Sequence, residues 1–141
     1  MDKIVKLHLW GKKLSQKKIP LLPKLIKRMM RVLYSCEVPY TCRIDESVVF
    51  AHNGLGVTIN ASSVIGAGTV IYQNVTIGNR KGSKGPKIGK NVLIGANAVI
   101  IGDITIGDNC KIGAGALVVK DVPEGATVVS TPASVIVKDK E

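Results

Sequence analysis

From Ile88 onward a branched aliphatic residue returns every six positions, at Ile88, Ile94, Ile100, Ile106, Ile112 and Val118, and a glycine follows four of these, at Gly89, Gly95, Gly107 and Gly113. A strict period of six fits neither the 3.6 of a helix nor the alternation of an ordinary strand. It fits a coil with three short flat sides and tight corners, in which one side chain per side points to the axis. A second run in phase with itself reads Ile59, Ile65, Ile71, Ile77, and a fainter one Val38, Ile44, Phe50. The fourth residue after each aliphatic is also small or apolar, at Val92, Ala98, Ile104, Cys110, Ala116 and Val122, so each side turns a second residue inward. Eighteen residues then make one coil, and the chain reads as a β-solenoid of four to five coils. Between Ile77 and Ile88 the spacing stretches to eleven, and the stretch holds Asn79 to Pro86, whose Gly, Ser and Pro mark an insertion loop over 79–86. The glycines fit corners that need a left-handed backbone or a close approach of coils, and Asn60, Asn91, Asn97, Asp108 and Asn109 tolerate the same geometry.

A solenoid needs its ends covered, because the end coils leave unpaired edges and an open core. Residues 1–35 are the candidate cover. Leu22, Leu25, Ile26, Met29, Met30 and Leu33 fall on one helical face, with Lys24, Lys27, Arg28 and Arg31 on the other, and residues 1–14 read as a weaker helix. Residues 1–34 carry ten Lys or Arg against Asp2, a net of +9, whereas the rest of the +10 chain nets +1. This arm can cap the solenoid or lie on an anionic membrane surface. Nucleic acid is not expected as a partner, since Trp10 is the single tryptophan and no aromatic stripe for base stacking exists. The division expected is therefore a basic helical arm over 1–35, the solenoid over 36–137 and a tail over 138–141.

Cys36, Cys42 and Cys110 are odd in number and lack metal-ligand spacing, so neither a disulfide framework nor a zinc or other metal site is expected. With no signal-peptide pattern at the start and no long apolar run, the expected setting is cytoplasmic, possible membrane contact being peripheral and at the inner face.

The string from Glu37 to His52, EVPYTCRIDESVVFAH, together with YQNVTIG at 72–78, IGANAVI at 94–100 and Pro132-Ala133, resembles the left-handed β-helix acetyltransferases, and among them the serine O-acetyltransferase group. The resemblance implies a left-handed parallel β-helix, an exception to the right-handed crossover preference. It also implies acetyl-CoA as co-substrate and a homotrimer with the pantetheine arm lying between neighbouring solenoids. His52 is then the general base, and Glu37, fifteen residues earlier where the family has Asp, is its orienting partner. On a coil of eighteen that spacing is expected to bring the two close together on adjacent coils. For acetyl-CoA the candidates are Gly95-Ala96 and Gly113-Ala114, eighteen residues apart, Gly78, Asn79 and Arg80 at the loop, Thr131 and Pro132 late in the chain, and Lys120, with Lys81, Lys84 and Lys87 as further phosphate contacts. His8 and Cys110 are read as structural residues.

Serine enzymes of this kind carry an Asp before the catalytic His and an Arg-His pair in the loop, whereas here Ala51 and Lys84-Gly85 occupy those positions. The first expectation for the acceptor is therefore a sugar hydroxyl of a surface polysaccharide pathway, as in short O-acetyltransferases with a similar basic arm. Serine is the second, with Asn53 and Lys84 as acceptor contacts. A non-catalytic solenoid scaffold is the alternative of another class.

Overall fold

The computed structural model of the chain describes residues 1–17, 19 and 21–132. Lys18, Pro20 and the stretch 133–141, which holds Ala133 and the expected tail, lie outside the described residues. Two helices come first, α1 (Lys3–Gln16) and α2 (Leu21–Tyr34). Among the described residues thirteen short strands follow: β1 (Arg43–Ile44), β2 (Val49–Phe50), β3 (Thr58–Ile59), β4 (Val64–Ile65), β5 (Val70–Ile71), β6 (Thr76–Gly78), β7 (Lys87–Ile88), β8 (Leu93–Ile94), β9 (Val99–Ile101), β10 (Thr105–Ile106), β11 (Lys111–Ile112), β12 (Leu117–Val118) and β13 (Thr127–Val128).

Every strand joins a parallel sheet on one of three faces. The first face is β1-β4-β7-β10, the second β2-β5-β8-β11-β13 and the third β3-β6-β9-β12. This is a β-solenoid of about four coils. Both inward sets carry the core as their spacing requires: each member from Ile88 to Val118 and from Val92 to Val122 is buried, as are Ile59, Ile65, Ile71 and Ile77. Strands of two or three residues have little pairing strength of their own, so burial of one branched side chain per side is what holds each in place, at about 1.5–3 kcal/mol per side chain.

Regular coils hold eighteen residues, as in the pairs Val99 with Leu117 and Leu93 with Lys111. Two coils are longer. Arg43 pairs with Val64 and Val49 with Val70, twenty-one residues on, because a 3₁₀ turn at Ala51–Gly54 inserts three extra residues. Val64 pairs with Lys87 and Thr76 with Val99, twenty-three on, because the loop at 79–86 inserts five. That loop folds back on the preceding coil: Asn60 Nδ2 donates to Asn79 Oδ1 at 2.8 Å, and the Gly85 amide donates to Ser62 Oγ at 2.7 Å.

Corner geometry separates the asparagines. Asn91, Asn97 and Asn109 turn through the left-handed region with φ of 52°, 60° and 60°, joined by Asn74 at 58°. Asn60 and Asp108 do not. Asn60 Oδ1 instead accepts the Ser62 amide at 2.9 Å, and Asp108 Oδ1 accepts the Lys90 amide from the coil before at 2.7 Å.

The cover of the first coil comes chiefly from α1. Asp2 caps that helix, its Oδ1 accepting the Ile4 amide at 2.8 Å, while its Oδ2 accepts the Phe50 amide of β2 at 3.2 Å, so one carboxylate both starts the helix and pins it to the solenoid. Ile4, Val5, His8 and Gly11 share the buried face. From α2 only Pro23 and Met30 are buried, and Pro23 sits in the first turn, where its missing N–H costs nothing. Within the arm the α2 stripe takes little part in the cover: Leu22, Leu25, Met29 and Leu33 are exposed, because α1 already occupies the solenoid end.

Candidate functional site

The corner between the second and third faces is a ladder of backbone. Tyr72 N donates to Ile94 O, Gly95 N to Ile112 O and Gly113 N to Val128 O, so Tyr72, Gly95 and Gly113 stack from coil to coil, with Ala96 and Ala114 beside them. The approach is close enough to require glycine: a Cβ on Gly95 would stand 2.6 Å from the Ala114 amide nitrogen. Ser130 Oγ donates to Ala114 O at 2.8 Å, which brings the exposed Thr131 and Pro132 to the far end of the same edge.

His52 sits at the head of this ladder. It follows β2 in the 3₁₀ turn, is exposed, and has φ 53° and ψ 36°, with Asn53 beside it at φ 54° and ψ 30°. Two consecutive left-handed residues that are not glycine carry backbone strain, which the Asp2–Phe50 contact and the burial of Phe50 on the preceding strand help to hold. The nearest aromatic neighbour is Tyr72, its ring centre 6.3 Å away and tilted by 57°. Tyr72 was open to discovery in the sequence, since it follows Ile71 at the phase where Gly95 and Gly113 follow theirs.

Glu37 is elsewhere. It pairs with Thr58 on the third face, twenty-one residues on, because the first coil is long. The three inserted residues, which carry His52, set this register, and among the described residues no hydrogen bond or ion pair joins Glu37 to His52. The Glu37 carboxylate is held by α2: Oε1 lies 2.6 Å from Lys27 Nζ and Oε2 2.7 Å from Arg31 Nη2. The Lys27 hydrogen bond, with the charges of Lys27 and Arg31, keeps this carboxyl below the usual range against a smaller opposing effect of burial. Spacing could not reveal these partners, which depend on how α2 docks. Glu37, Lys27, Thr58, Asn60, Thr76 and Gly78 line a hollow of about 330 Å³.

The remaining candidates lie on the edge between the third and first faces. Gly78 pairs with Ile101, and Asn79, Arg80 and Lys84 belong to the loop that leaves there. Lys120 falls at the matching phase, two residues after Val118, and Arg80, Lys81, Lys84, Lys87 and Lys120 are all exposed. One chain thus splits the predicted site in two. His52, Asn53, Gly95, Ala96, Gly113, Ala114, Thr131 and Pro132 lie on one edge, Asn79, Arg80, Lys84 and Lys120 on the next, and the third face, with Glu37 and Gly78, stands between them. Cys110 is a core filler, its thiol donating to Pro123 O at 3.0 Å.

Three faces of parallel strands, an eighteen-residue coil and a branched aliphatic on each side define a hexapeptide-repeat β-helix, and residues 85–120 match the bacterial transferase hexapeptide family of six repeats. Within that class the chain is a relative of the serine acetyltransferases. It is 37% identical over 128 residues to the serine acetyltransferase of Synechococcus elongatus, a match covering 89% of this chain and 52% of that protein. It is likewise 37% identical over 135 residues to that of Staphylococcus xylosus, covering 94% and 62%. Its fold is similar to the crystal structure of Neisseria gonorrhoeae serine acetyltransferase in complex with serine, with a TM-score of 0.84 at 34% identity over 93% of this chain and 54% of that one. The soybean serine acetyltransferase apoenzyme gives 0.83 at 33% identity, over 92% and 55%. The coil is accordingly the left-handed β-helix that the resemblance implied. The chain spans between about half and two thirds of the length of these relatives. Among the described residues no helix is long and apolar enough to cross a membrane.

Proposed function

We propose that the chain is an acetyl-CoA-dependent O-acetyltransferase that works as a homotrimer, with His52 as its general base. The observation that carries this reading is the division of the site between two edges of one prism. A three-fold arrangement sets the His52 edge of one protomer against the loop edge of the next, so a groove between protomers gathers the imidazole, the Gly95 and Gly113 ladder and the loop cations. Acetyl-CoA would lie along this ladder, whose small residues let an extended arm approach the backbone. Arg80, Lys84 or Lys120 would meet its phosphates.

His52 takes the proton of the acceptor hydroxyl as its oxygen attacks the thioester carbonyl. The carbon–sulfur bond breaks, and the proton passes to the departing thiolate. Glu37 belongs to this reading as a carboxylate kept ionised by Lys27 and Arg31, able to orient an imidazole that the assembly brings to it. The strained backbone at His52 and Asn53 supports a functional role for this turn, since strain of that kind persists where the surroundings hold it.

For the acceptor, the relatives favour L-serine over the sugar hydroxyl that Ala51 and Lys84-Gly85 first indicate. The sugar reading keeps one structural support: Gly85 is buried, and a Cβ there would lie 2.5 Å from Ser63 Oγ, so no side chain can serve an amino acid from that position. A cytoplasmic setting goes with either, the three cysteines being free and buried. The deciding experiment is release of free CoA over a panel of L-serine, sugars and sugar nucleotides, with His52→Ala as control and light scattering for assembly. Turnover with serine that His52→Ala abolishes supports the main reading. Turnover with sugars alone selects the second, and no thioester cleavage with any hydroxyl acceptor overturns both.

A further inference from the structure

The α1–α2 pair turns an apolar hollow of about 630 Å³ to the outside, away from the core that Ile4, Val5 and Met30 complete. Trp10, Leu14, Leu22, Leu25 and Met29 line it, and Lys13 and Lys17 stand in its wall. A second hollow of about 290 Å³ continues the surface across Leu21, Leu22 and Leu25 to Lys24 and Arg28. The large side chains are open to solvent: Trp10 is 57% exposed, Leu25 62% and Leu21 76%. Such a contiguous apolar surface on a soluble domain marks a place where something docks.

The charges around it select the occupant. Lys27 and Arg31 are engaged with Glu37, whereas Lys13, Lys17, Lys24 and Arg28 border the apolar floor, and Lys6 lies over the Trp10 ring, 5.8 Å from its centre. A second copy of this face would bring cation against cation, since residues 1–34 offer only Asp2 as an acid, and that carboxylate is occupied by the α1 amides and Phe50. Leucines and a tryptophan in the floor, with lysines around it, match a bilayer interface: acyl chains accept the floor, anionic headgroups the rim, and the indole sits between. Neither helix is long and apolar enough to span.

We infer that the outer face of α1 and α2 is a peripheral docking surface for anionic membranes. Contact there seats the face that tops the first coil on the bilayer and leaves the later coils in water.

Trp10, as the single tryptophan, reports the contact directly. The full-length protein is titrated with vesicles of phosphatidylcholine alone and of phosphatidylcholine with phosphatidylglycerol, followed by Trp10 emission and co-sedimentation. The expected result is a blue shift and sedimentation with the anionic vesicles only, weakened by salt. Lys13→Glu with Lys17→Glu should weaken binding by at least roughly thirtyfold, taking each cation near such a surface as worth a little over fivefold. Leu25→Asp, at an exposed position, should abolish the shift while circular dichroism stays unchanged. Unchanged Trp10 emission with anionic vesicles overturns the inference. So does equal binding to neutral vesicles, or a blue shift that appears with protein concentration alone and so reveals a second copy on this face.

Discussion

Glu37 Oε1 lies 2.6 Å from Lys27 Nζ, and this contact joins the first coil of the solenoid to α2 across the surface that the third face presents. With Arg31 at 2.7 Å on the other oxygen, the carboxylate is clamped by two cations of one helix. Because the pairs are partly exposed, each contributes at most about 1 kcal/mol to stability. Their effect on titration is the clearer signature. The folded-state pKa is held below the ordinary 4.5, so this stabilisation is present above about pH 4.5 and is lost as pH falls through the folded value. Replacing both cations, Lys27→Met with Arg31→Met, should raise the Glu37 titration measured by carboxyl NMR while the melting temperature changes little. An unmoved titration would show that the clamp does not set the charge of Glu37.

Removing the imidazole should lower kcat by about a hundredfold to ten-thousandfold in His52→Ala, with the KM for acetyl-CoA nearly unchanged. Glu37→Gln should cost less, since the base remains. The backbone adds a second readout. At φ 53° a glycine is at ease where alanine is not, so His52→Gly should be more stable than His52→Ala by about 1 kcal/mol, both being inactive. Equal stability in urea unfolding would argue that the turn relaxes when the imidazole is gone.

Gly95 has no room for a side chain. A Cβ there would fall 2.6 Å from the Ala114 nitrogen and 2.9 Å from the Gly113 carbonyl carbon, both backbone atoms that cannot swing away. Gly95→Val should push adjacent coils apart at the ladder, lowering stability by at least about 1–3 kcal/mol, as overpacking does, and weakening acetyl-CoA binding. Gly82→Ala, where nothing lies within 4 Å of the new methyl, is the control, though its φ of 80° adds a small strain of its own. A Gly95→Val protein with native stability and unchanged acetyl-CoA affinity would remove the ladder from the site.

The solenoid was legible because its period is local: six-residue spacing states which side chain faces the axis, and Ile100 or Ile112 needs no distant partner to be placed. The coil count followed from the same arithmetic. What spacing could not give was the effect of insertions. The three extra residues at Ala51–Gly54 carry His52 out of phase with the hexads, so counting by eighteens does not give the partner of Glu37, which is Thr58, twenty-one residues on. Nor did amphipathicity say which helix would cap the core. The α2 stripe is the stronger pattern, yet α1 took the solenoid end, because Asp2 anchors it to Phe50 and leaves the α2 leucines outside.

His8 gives the fold a pH limit that lies outside the site. The imidazole is 1% exposed between α1 and the first coil, Nδ1 standing 4.0 Å from Cys42 Sγ, and Nε2 has no partner among the described residues. Burial first, and then the nearby Lys12 charge, press its pKa from 6.5 to about 4, against a weaker opposite pull from the Pro39 carbonyl. The neutral ring is therefore the form that folds. Since the folded value is the lower one, the stabilisation is fully present above about pH 6.5 and disappears as pH falls from there toward 4, a loss on the order of 3 kcal/mol for a displacement of that size. Urea unfolding at about pH 7.5 and again near pH 4 should show this loss in the native chain. His8→Leu, which places an apolar group of similar bulk in the same dry site, should flatten the curve over that interval while preserving stability at neutral pH. If the two proteins lose stability in parallel on acidification, His8 is not the group that titrates, and the Glu37 carboxylate, held ionised by Lys27 and Arg31, becomes the source of the acid sensitivity.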